Sequence, residues 1–305
     1  MTQDAQKQYW LEQAQAMLPL LNMPEATVSW LSFTHHPVFR VKHQHKHYIL
    51  RLGTNRSHSP ELKVLNQLSA IGLSAPQVLN QIESKVSGTI FNELQGESRS
   101  NNTITTDDMR HIGQYLAKLH NTDLDTDGLR RLDWDGLFGD TGVYYPGDDN
   151  MQVFTDEQLN IIVRVTEKVR VSMDVLLGDT GLIHGDFLLK NLLFDGNTLH
   201  ALDWEYAGWG YYLYDLTPVL WQLKPSSRYT ELEAALWDSY TKNRPDAMPY
   251  LNHLETMIAG RQVASMRWVA ANQDNPYVQG KVVQILRQRT DELAQFLETG
   301  VLIRQ

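Results

Sequence analysis

The fold of this chain is decided by two neighbouring stretches of sequence, His184-Gly185-Asp186-Phe187-Leu188-Leu189-Lys190-Asn191 and Leu202-Asp203-Trp204-Glu205. Between them lies Asp195-Gly196-Asn197, flanked by two short apolar runs. An Asp-Gly pair between such runs is a strong signal for a β-hairpin. If the hairpin forms, its two ends come together, and we therefore expect Asp186, Asn191 and Asp203 to converge at one end of a small ribbon.

The side chains that this hairpin would bring together suit phosphoryl transfer. An ionised Asp can take a proton from a hydroxyl group, and Asn and Asp supply the oxygen ligands that Mg²⁺ prefers. We therefore predict Asp186 as a catalytic base and Asn191 and Asp203 as metal ligands. Glu205 is a further candidate ligand, with a role as a partner of the catalytic loop as the alternative. The alternatives are a capping Asp, a turn Asn and a surface Asp, and the spacing of the three residues argues against them.

Composition indicates a globular protein and excludes several classes of function. The 305 residues are 42% hydrophobic and 21% charged, as in ordinary globular proteins. No apolar run reaches the roughly 18 residues of a membrane span, and the polar N-terminus does not resemble a signal peptide. The chain has no cysteine, which excludes disulfides and thiol catalysis and fits a reducing compartment. We therefore expect a cytoplasmic protein without a membrane partner.

The net charge bears on the partners of the protein. At −9 it argues against nucleic acid, because phosphate backbones are bound by clustered Lys and Arg. It is compatible with a cationic small substrate, although many cytosolic proteins are acidic for solubility alone. A monomer and a homodimer both remain open.

Hydrophobic periodicity divides the chain into a small β-rich part and a larger helical part. Residues 1–94 contain an N-terminal helix, a helix that begins at Ser59-Pro60, and strand-like runs at 27–33, 38–41, 48–52, 77–82 and 88–94. Residues 95–305 contain helices at 106–121, 155–177, 213–224, 229–243, 248–271 and 278–300. Thr155 and Gln158 match a capping box. In this second part we expect the hairpin to be the only β structure.

These features resemble the aminoglycoside phosphotransferase and choline kinase family, the small-molecule kinases of the protein-kinase-like fold. The resemblance covers nearly the whole chain and depends on His184–Asn191, Asp203–Gly208, Asp215-Leu216 and Leu116–His120. It implies a bilobal α+β fold, with a nucleotide-binding lobe at residues 1–94 and a helical lobe at residues 95–305 that carries the catalytic loop and the acceptor site. It also implies ATP and Mg²⁺ as cofactors and a small-molecule hydroxyl group as phosphate acceptor.

The resemblance further assigns residues to the nucleotide. Arg51 would grip phosphate oxygens and Glu61 would pair with it, as the strand lysine and helix glutamate do in kinases. The backbone of Glu93 and Gln95 would bond the adenine edge. One feature departs from the family, because the turn Phe33–Val38, which would cover the phosphates, contains no Gly.

Other residues near the motif have two interpretations. Lys190 could approach the γ-phosphate and offset its charge, or it could point into solvent. His184 could be a second proton acceptor, but we favour a structural role in which its ring hydrogen-bonds the backbone and fixes the loop. For Asp215 the resemblance implies a buried carboxylate that braces the catalytic loop. Trp268 could hold a cationic acceptor by cation–π contact, although core packing is the more common fate of a helical Trp.

The acceptor is the least determined part of the function. We slightly favour an amino alcohol of the choline or thiamine kind, and an aminoglycoside or a sugar remains open. A kinase-fold binding protein with little turnover is the alternative from another class, which the turn without Gly favours. A protein kinase is less compatible with the chain, because only about a dozen residues separate Asp203 from Asp215 and no Ala-Pro-Glu segment follows.

Overall fold

The chain divides into two compact units, which are described here from a computed structural model covering residues 3–33, 36–54, 59–82 and 86–304. The first unit comprises Met1–Glu97 together with His200–Glu205, and the second comprises Ser98–Leu199 and Tyr206–Gln305. The sequence places a boundary after residue 94 and does not predict that His200–Glu205 joins the first unit.

The first unit is a five-stranded antiparallel sheet with two helices. Its strands follow the order β1-β2-β3-β5-β4. The elements are α1 (Gln3–Met17), β1 (Thr27–Phe33), β2 (Pro37–His43), β3 (Lys46–Thr54), α2 (Ser59–Ala70), β4 (Val78–Ile82) and β5 (Val86–Asn92).

Helix α1 covers one face of this sheet. Its buried Ala14 and Met17 pack in one cluster with Phe39, Leu50 and Ile90 from the strands. The strands alternate buried and more exposed positions, most clearly in β2, because successive side chains of a strand point to opposite faces. Each large apolar side chain that is fully buried in this way stabilises the unit by about 1.5–3 kcal/mol.

The second unit is mainly helical. Its helices are α3 (Thr106–His120), α4 (Trp134–Phe138), α5 (Asp148–Met151), α6 (Asp156–Val175), α7 (Tyr212–Asp215), α8 (Thr217–Leu223), α9 (Tyr229–Asn243), α10 (Leu251–Ala271) and α11 (Val282–Thr299). Its strands are β6 (Arg130–Leu132), β7 (Thr180–Ile183), β8 (Leu192–Asp195) and β10 (Gly208–Tyr211), and β9 (Thr198–Ala201) follows β8 as the chain passes into the first unit.

Local signals place the ends of two long helices. Thr155 caps α6 and exchanges both hydrogen bonds of a capping box with Gln158, which confirms the predicted box. Thr105 and Asp108 form a second box at the start of α3, which is not predicted. Such boxes satisfy backbone N–H groups that have no partner within the helix. The two helices therefore begin directly after the capping residues Thr105 and Thr155.

The predicted hairpin forms, with β8 and β9 joined at Gly196 in a left-handed conformation. The expectation that it is the only β structure of the second half is wrong, because β6, β10 and β7 form a three-stranded sheet. These strands have three or four residues each, which is too short for a periodicity to be visible. They are held by sequence-distant pairing, and a Cβ at Gly208 would lie 2.4 Å from the carbonyl oxygen of Arg130.

None of the helices in the described residues is both long enough and apolar enough to cross a bilayer.

Candidate active site

The loop after β7 carries the predicted base, and its backbone is held by Asp215. The two carboxylate oxygens of Asp215 accept hydrogen bonds from the backbone N–H groups of His184 and Gly185, at 2.8 and 2.9 Å. Gly185 has φ 79°, and a Cβ there would lie 2.8 Å from the carbonyl oxygen of Tyr206. Only Gly meets both conditions, so the Gly of the motif is required by the shape of the loop.

Asp215 is itself held from behind by a buried histidine. His120 Nε2 lies 3.3 Å from Asp215 Oδ2, and His120 Nδ1 lies 2.8 Å from the hydroxyl of Tyr240. Burial of the imidazole outweighs the nearby carboxylate and lowers the pKa of His120. The ring is therefore neutral and bridges α9 to the catalytic loop. These contacts agree with the structural role that the resemblance implies for Asp215, whereas the part played by His120 is not predicted from the sequence.

Asp186 lies in the middle of a polar cluster. Its Oδ1 accepts a hydrogen bond of 2.6 Å from Arg261 Nη2, and its Oδ2 accepts one of 3.3 Å from Asn191 Nδ2. Asn191 Nδ2 also donates to the Asp186 carbonyl oxygen at 2.9 Å. The amide nitrogen of Asn191 is thus committed to Asp186, which makes its Oδ1 the atom that can face a cation. The structure therefore brings the predicted base and one predicted metal ligand together.

Lys190 lies at the edge of this cluster. Its Nζ is 3.7 Å from Asp186 Oδ2, but its side chain is 61% exposed, compared with 13% for Asp186. An exposed ion pair of this kind contributes little to stability, at most about 1 kcal/mol.

Arg261 in α10 is the main residue of the cluster that sequence reasoning misses. It is buried, and its Nη1 donates a hydrogen bond of 2.9 Å to the hydroxyl of Tyr144. Although burial opposes its charge, the neighbouring Tyr144 and Asp186 raise the pKa of Arg261 above its ordinary value. The signal that could have found it is a charged residue within an otherwise buried helical stretch, since Arg is almost never fully buried unless it is paired.

The first unit contains the predicted phosphate-binding pair. Arg51 in β3 donates to both carboxylate oxygens of Glu61 in α2, with Nη1 at 3.1 Å from Oε1 and Nη2 in contact with Oε2. Burial opposes the charge of Arg51, but Glu61, followed by Asp203 and Glu205, raises its pKa. The guanidinium therefore stays charged among three carboxylates of its own unit.

Asp203 and Glu205 belong to the same unit because of contacts made by the segment that carries them. His200 Nδ1 lies 2.6 Å from the hydroxyl of Ser74, and the N–H of Ala201 donates to the Ser74 carbonyl oxygen at 3.2 Å. Asp203 has φ 62°, a left-handed conformation that residues other than Gly rarely adopt. Such strained backbone occurs preferentially at functional sites.

The remaining predicted site residues lie at the end of the sheet and in the turn. Glu93 accepts a hydrogen bond of 2.7 Å from Arg40 Nε and lies 3.3 Å from His47 Nδ1, so its carboxylate is engaged within the sheet. Gln95 lies in the irregular segment after β5 and is exposed. In the turn without Gly, residues 34 and 35 lie outside the described part of the chain, whereas His36 Nε2 lies 3.6 Å from Glu205 Oε1.

The expected convergence of the three motif residues spans the two units. Asp186 and Asn191 belong to the second unit, and Asp203 belongs to the first. That the three side chains meet therefore remains a prediction from the hairpin. The binding of a nucleotide by Glu93 and Gln95 likewise remains a prediction from the family resemblance.

Comparison with known families gives one match that covers most of the chain. The model of a family described as the phosphotransferase enzyme family (APH) matches residues 32–250. No curated protein sequence matches the chain.

Comparison with solved structures gives small-molecule kinases. A microcompartment-associated aminopropanol kinase is 18% identical, with a TM-score of 0.78 and 96% of this chain and 99% of that chain covered. A choline/ethanolamine kinase family protein from Mesorhizobium loti is 19% identical, with a TM-score of 0.71 and 94% and 95% covered. An amicoumacin kinase in complex with AMP-PNP, Ca²⁺ and Ami is 13% identical, with a TM-score of 0.72 and 92% and 93% covered. These likenesses show the fold that the sequence predicts.

Proposed function

The chain belongs to the phosphotransferase enzyme family, and from this premise we propose that it transfers the γ-phosphoryl group of ATP to a hydroxyl group of a small molecule. The observation that carries the proposal is the position of Asp186. It lies on a loop braced by Asp215, hydrogen-bonded to Asn191, with one oxygen held by a buried guanidinium. A carboxylate fixed in this way can orient a hydroxyl group for transfer.

The proposed reaction needs one proton acceptor in the protein. The hydroxyl oxygen of the acceptor forms a bond to the γ-phosphorus, and the bond between that phosphorus and the β,γ-bridging oxygen breaks. The hydroxyl proton passes to Oδ2 of Asp186, and ADP and the phosphate ester leave. Lys190, within reach of the base, would offset charge on the transferred phosphoryl group.

The candidate metal ligands suit a hard cation such as Mg²⁺. Asn191, Asp203 and Glu205 offer oxygen atoms, and the hydrogen bonds of the Asn191 amide nitrogen commit that nitrogen to Asp186 and leave the oxygen for the metal. We assign the three residues as the protein's share of the ligands. When bound, Mg²⁺ would supply positive charge against the phosphate oxygens.

The candidate nucleotide site rests on Arg51. Glu61 holds the two terminal nitrogens of its guanidinium, and Arg51 Nε is buried without a hydrogen-bond partner among the described residues. A buried donor left unpaired is destabilising by about 1–3 kcal/mol, so a phosphate oxygen is a fitting partner. The backbone at Glu93 and Gln95 would bind the adenine, and Glu93 can serve only through its backbone because its carboxylate is held by Arg40.

For the acceptor we favour an amino alcohol. Two of the structures with this fold are described as an aminopropanol kinase and a choline/ethanolamine kinase family protein. An aminoglycoside or a sugar is the alternative within the same chemistry. The alternative from another class is a binding protein with little turnover, which the turn without Gly in the first unit favours.

A coupled assay of ADP release tests the proposal. The protein is offered Mg·ATP with 1-aminopropan-2-ol, ethanolamine, choline, thiamine, an aminoglycoside or a hexose. We expect activity with at least one amino alcohol and its loss in Asp186→Asn, which removes the proton acceptor while it keeps the size of the side chain. If no acceptor is phosphorylated and Mg·ATP does not raise the melting temperature, the proposal is wrong. A thermal shift without turnover would instead support the binding protein.

A further inference from the structure

Arg261 makes the shortest contact to the predicted base, and the proposed reaction assigns it no step of its own. We propose that Arg261 is a positioning residue, which fixes Oδ1 of Asp186 so that Oδ2 is turned toward the hydroxyl group of the acceptor. This inference rests on the proposed function, and it concerns how the base is held rather than which acceptor is used.

Arg261 contacts the catalytic loop in two ways, directly at the side chain of Asp186 and through Tyr144 at the backbone of Gly185. Nη2 donates to Asp186 Oδ1 at 2.6 Å, and Nη1 donates to the hydroxyl of Tyr144 at 2.9 Å. The Tyr144 hydroxyl in turn lies 3.4 Å from the carbonyl oxygen of Gly185. The planar guanidinium therefore joins the side chain of the base to the backbone that precedes it. A planar fork restricts the carboxylate in direction as well as in distance.

The guanidinium is held in place by its surroundings. It is buried, with its Cζ 5.6 Å from the ring centre of Tyr144 and 5.8 Å from that of Trp221. Trp221 is fixed in turn by a hydrogen bond of 3.1 Å from its Nε1 to Gln262 in α10. Two aromatic rings and a neighbouring helix residue thus leave the side chain of Arg261 little freedom to move away from the base.

Lys190, the other cation near the base, has the opposite character. Its ammonium group lies 3.7 Å from Asp186 Oδ2 on a side chain that is 61% exposed. A flexible ammonium in water cannot orient a carboxylate, whereas it can follow a phosphoryl group. The two cations therefore contact different oxygens of the base, with Oδ1 held from the interior by Arg261 and Oδ2 facing the exposed Lys190 and Asn191 Nδ2, which donates to it at 3.3 Å.

This arrangement is a poor device for stability alone. A buried ion pair repays the loss of hydration only partly, and apolar replacements of similar size are often neutral or stabilising. Arg261 also leaves its Nε without a hydrogen-bond partner among the described residues. The burial of the Arg261 charge beside the predicted base is therefore better explained by a role in orienting the Asp186 carboxylate than by a contribution to stability. In phosphoryl transfer the transition state is loose, so the direction of the attacking hydroxyl contributes much of the catalysis.

The same helix offers a matched control. Arg267 is also buried in α10 and also has an Nε without a partner among the described residues, but its Nη1 donates to the carbonyl oxygen of Phe138 at 2.6 Å. Arg267 is therefore a buried arginine that hydrogen-bonds a backbone carbonyl group of the fold and does not contact the predicted base. Replacing either arginine by Ala removes a comparable buried guanidinium.

The experiment compares Arg261→Ala with Arg267→Ala in transfer from Mg·ATP to the best acceptor among 1-aminopropan-2-ol, ethanolamine and choline. We expect Arg261→Ala to lower kcat about 100-fold, since a small misplacement of a reacting group has an effect of this size. KM for ATP should stay within about twofold, because a base that is badly oriented does not alter ground-state binding of the nucleotide. Guanidinium chloride at millimolar concentration should raise the kcat of Arg261→Ala about tenfold and leave that of Arg267→Ala unchanged. Only the Arg261→Ala variant lacks a group that acts on the base.

Arg261→Lys keeps the experiment informative if Arg261→Ala does not fold. It retains the charge but not the fork, and we expect a fall in kcat of about tenfold. The inference is overturned if Arg261→Lys is as active as wild type, or if Arg261→Ala loses no more kcat than Arg267→Ala. Absence of guanidinium rescue in a folded Arg261→Ala also overturns it. A wild-type protein that phosphorylates none of the acceptors would overturn the proposed function, and this inference with it, so the two failures are distinguishable.

Discussion

At the scale of single residues, several predicted site residues of each unit are polar groups held by a specific partner within that unit. Asn191 is oriented by Asp186, and Arg51 by Glu61. Asp203 is held differently, because its backbone lies in the left-handed region at φ 62°. A side chain on such a backbone points in a direction that ordinary strand or helix geometry does not offer.

The role of Asp203 can be tested with a variant that respects this backbone. Asp203→Asn removes the negative charge, and Asn tolerates left-handed backbone better than most residues. We expect the melting temperature without ligands to stay near that of wild type, while the stabilisation by ATP that requires Mg²⁺ is lost. Thermal shifts with ATP, in the presence of Mg²⁺ and of a chelator, measure this.

Asp195 provides the control for that variant. It lies exposed at the tip of the same hairpin, and Asp195→Asn should leave the Mg²⁺-dependent shift intact. An unchanged shift in Asp203→Asn would show that this residue is not a metal ligand.

At the scale of structural elements, the loop between β7 and β8 determines whether the site exists. Its backbone is fixed by Asp215 at one end, and its tight turn requires Gly185. Helices α9 and α10 reach the loop through Tyr240 with His120 and through Arg261. The loop is therefore positioned by sequence-distant helices as well as by its own sequence.

Gly185→Ala tests the importance of the loop conformation. We expect a loss of unfolding free energy of about 2 kcal/mol or more, because a left-handed backbone is unfavourable with a side chain and the new Cβ meets the carbonyl oxygen of Tyr206. Activity should fall at the same time, since the base follows directly in the sequence. Urea unfolding and the assay of ADP release measure the two effects.

Gly178 is the matched control, because it precedes β7 and a Cβ there would meet no atom within 4 Å. Gly178→Ala should change the unfolding free energy by less than about 0.5 kcal/mol. If both variants behave alike, the loop tolerates a side chain at residue 185 and the argument for a required glycine is wrong.

At the scale of the whole molecule, the buried histidine ties stability to pH. Burial lowers the pKa of His120 in the folded protein, so the unfolded chain binds this proton more readily than the folded one. The contribution of His120 to stability is therefore complete above about pH 6.5, the ordinary pKa of histidine, and is lost as the pH falls below that value.

Urea unfolding between about pH 7.5 and about pH 5.5 tests this linkage. Wild type should lose up to about 1.4 kcal/mol of unfolding free energy per pH unit through His120 below pH 6.5. The slope should be smaller in His120→Gln and unchanged in His45→Gln, which replaces a histidine that is exposed. Equal slopes in wild type and His120→Gln would contradict the explanation.

The residues near the motif show how far sequence reasoning reaches. The hairpin, the capping box at Thr155 and the pairing of Arg51 with Glu61 follow from local signals or from family resemblance, and the structure contains all three. Arg261 does not follow, because it stands 75 residues from Asp186 and the helix around it reads as apolar core. The engagement of Glu93 with Arg40 likewise depends on the folded sheet, in which β2 and β5 lie on either side of β3.

From the sequence alone we can therefore predict the α+β class, the membership in a phosphotransferase family and the residues expected to act on phosphate. These are properties of short-range patterns, since turns, caps and motif spacing act within a few residues. The folded structure is needed to establish the sheet of β6, β10 and β7, the attachment of His200–Glu205 to the first unit, and the guanidinium that holds the base. The physical reason is that each of these depends on groups brought together from distant parts of the chain, and burial and pairing at such contacts outweigh local preference.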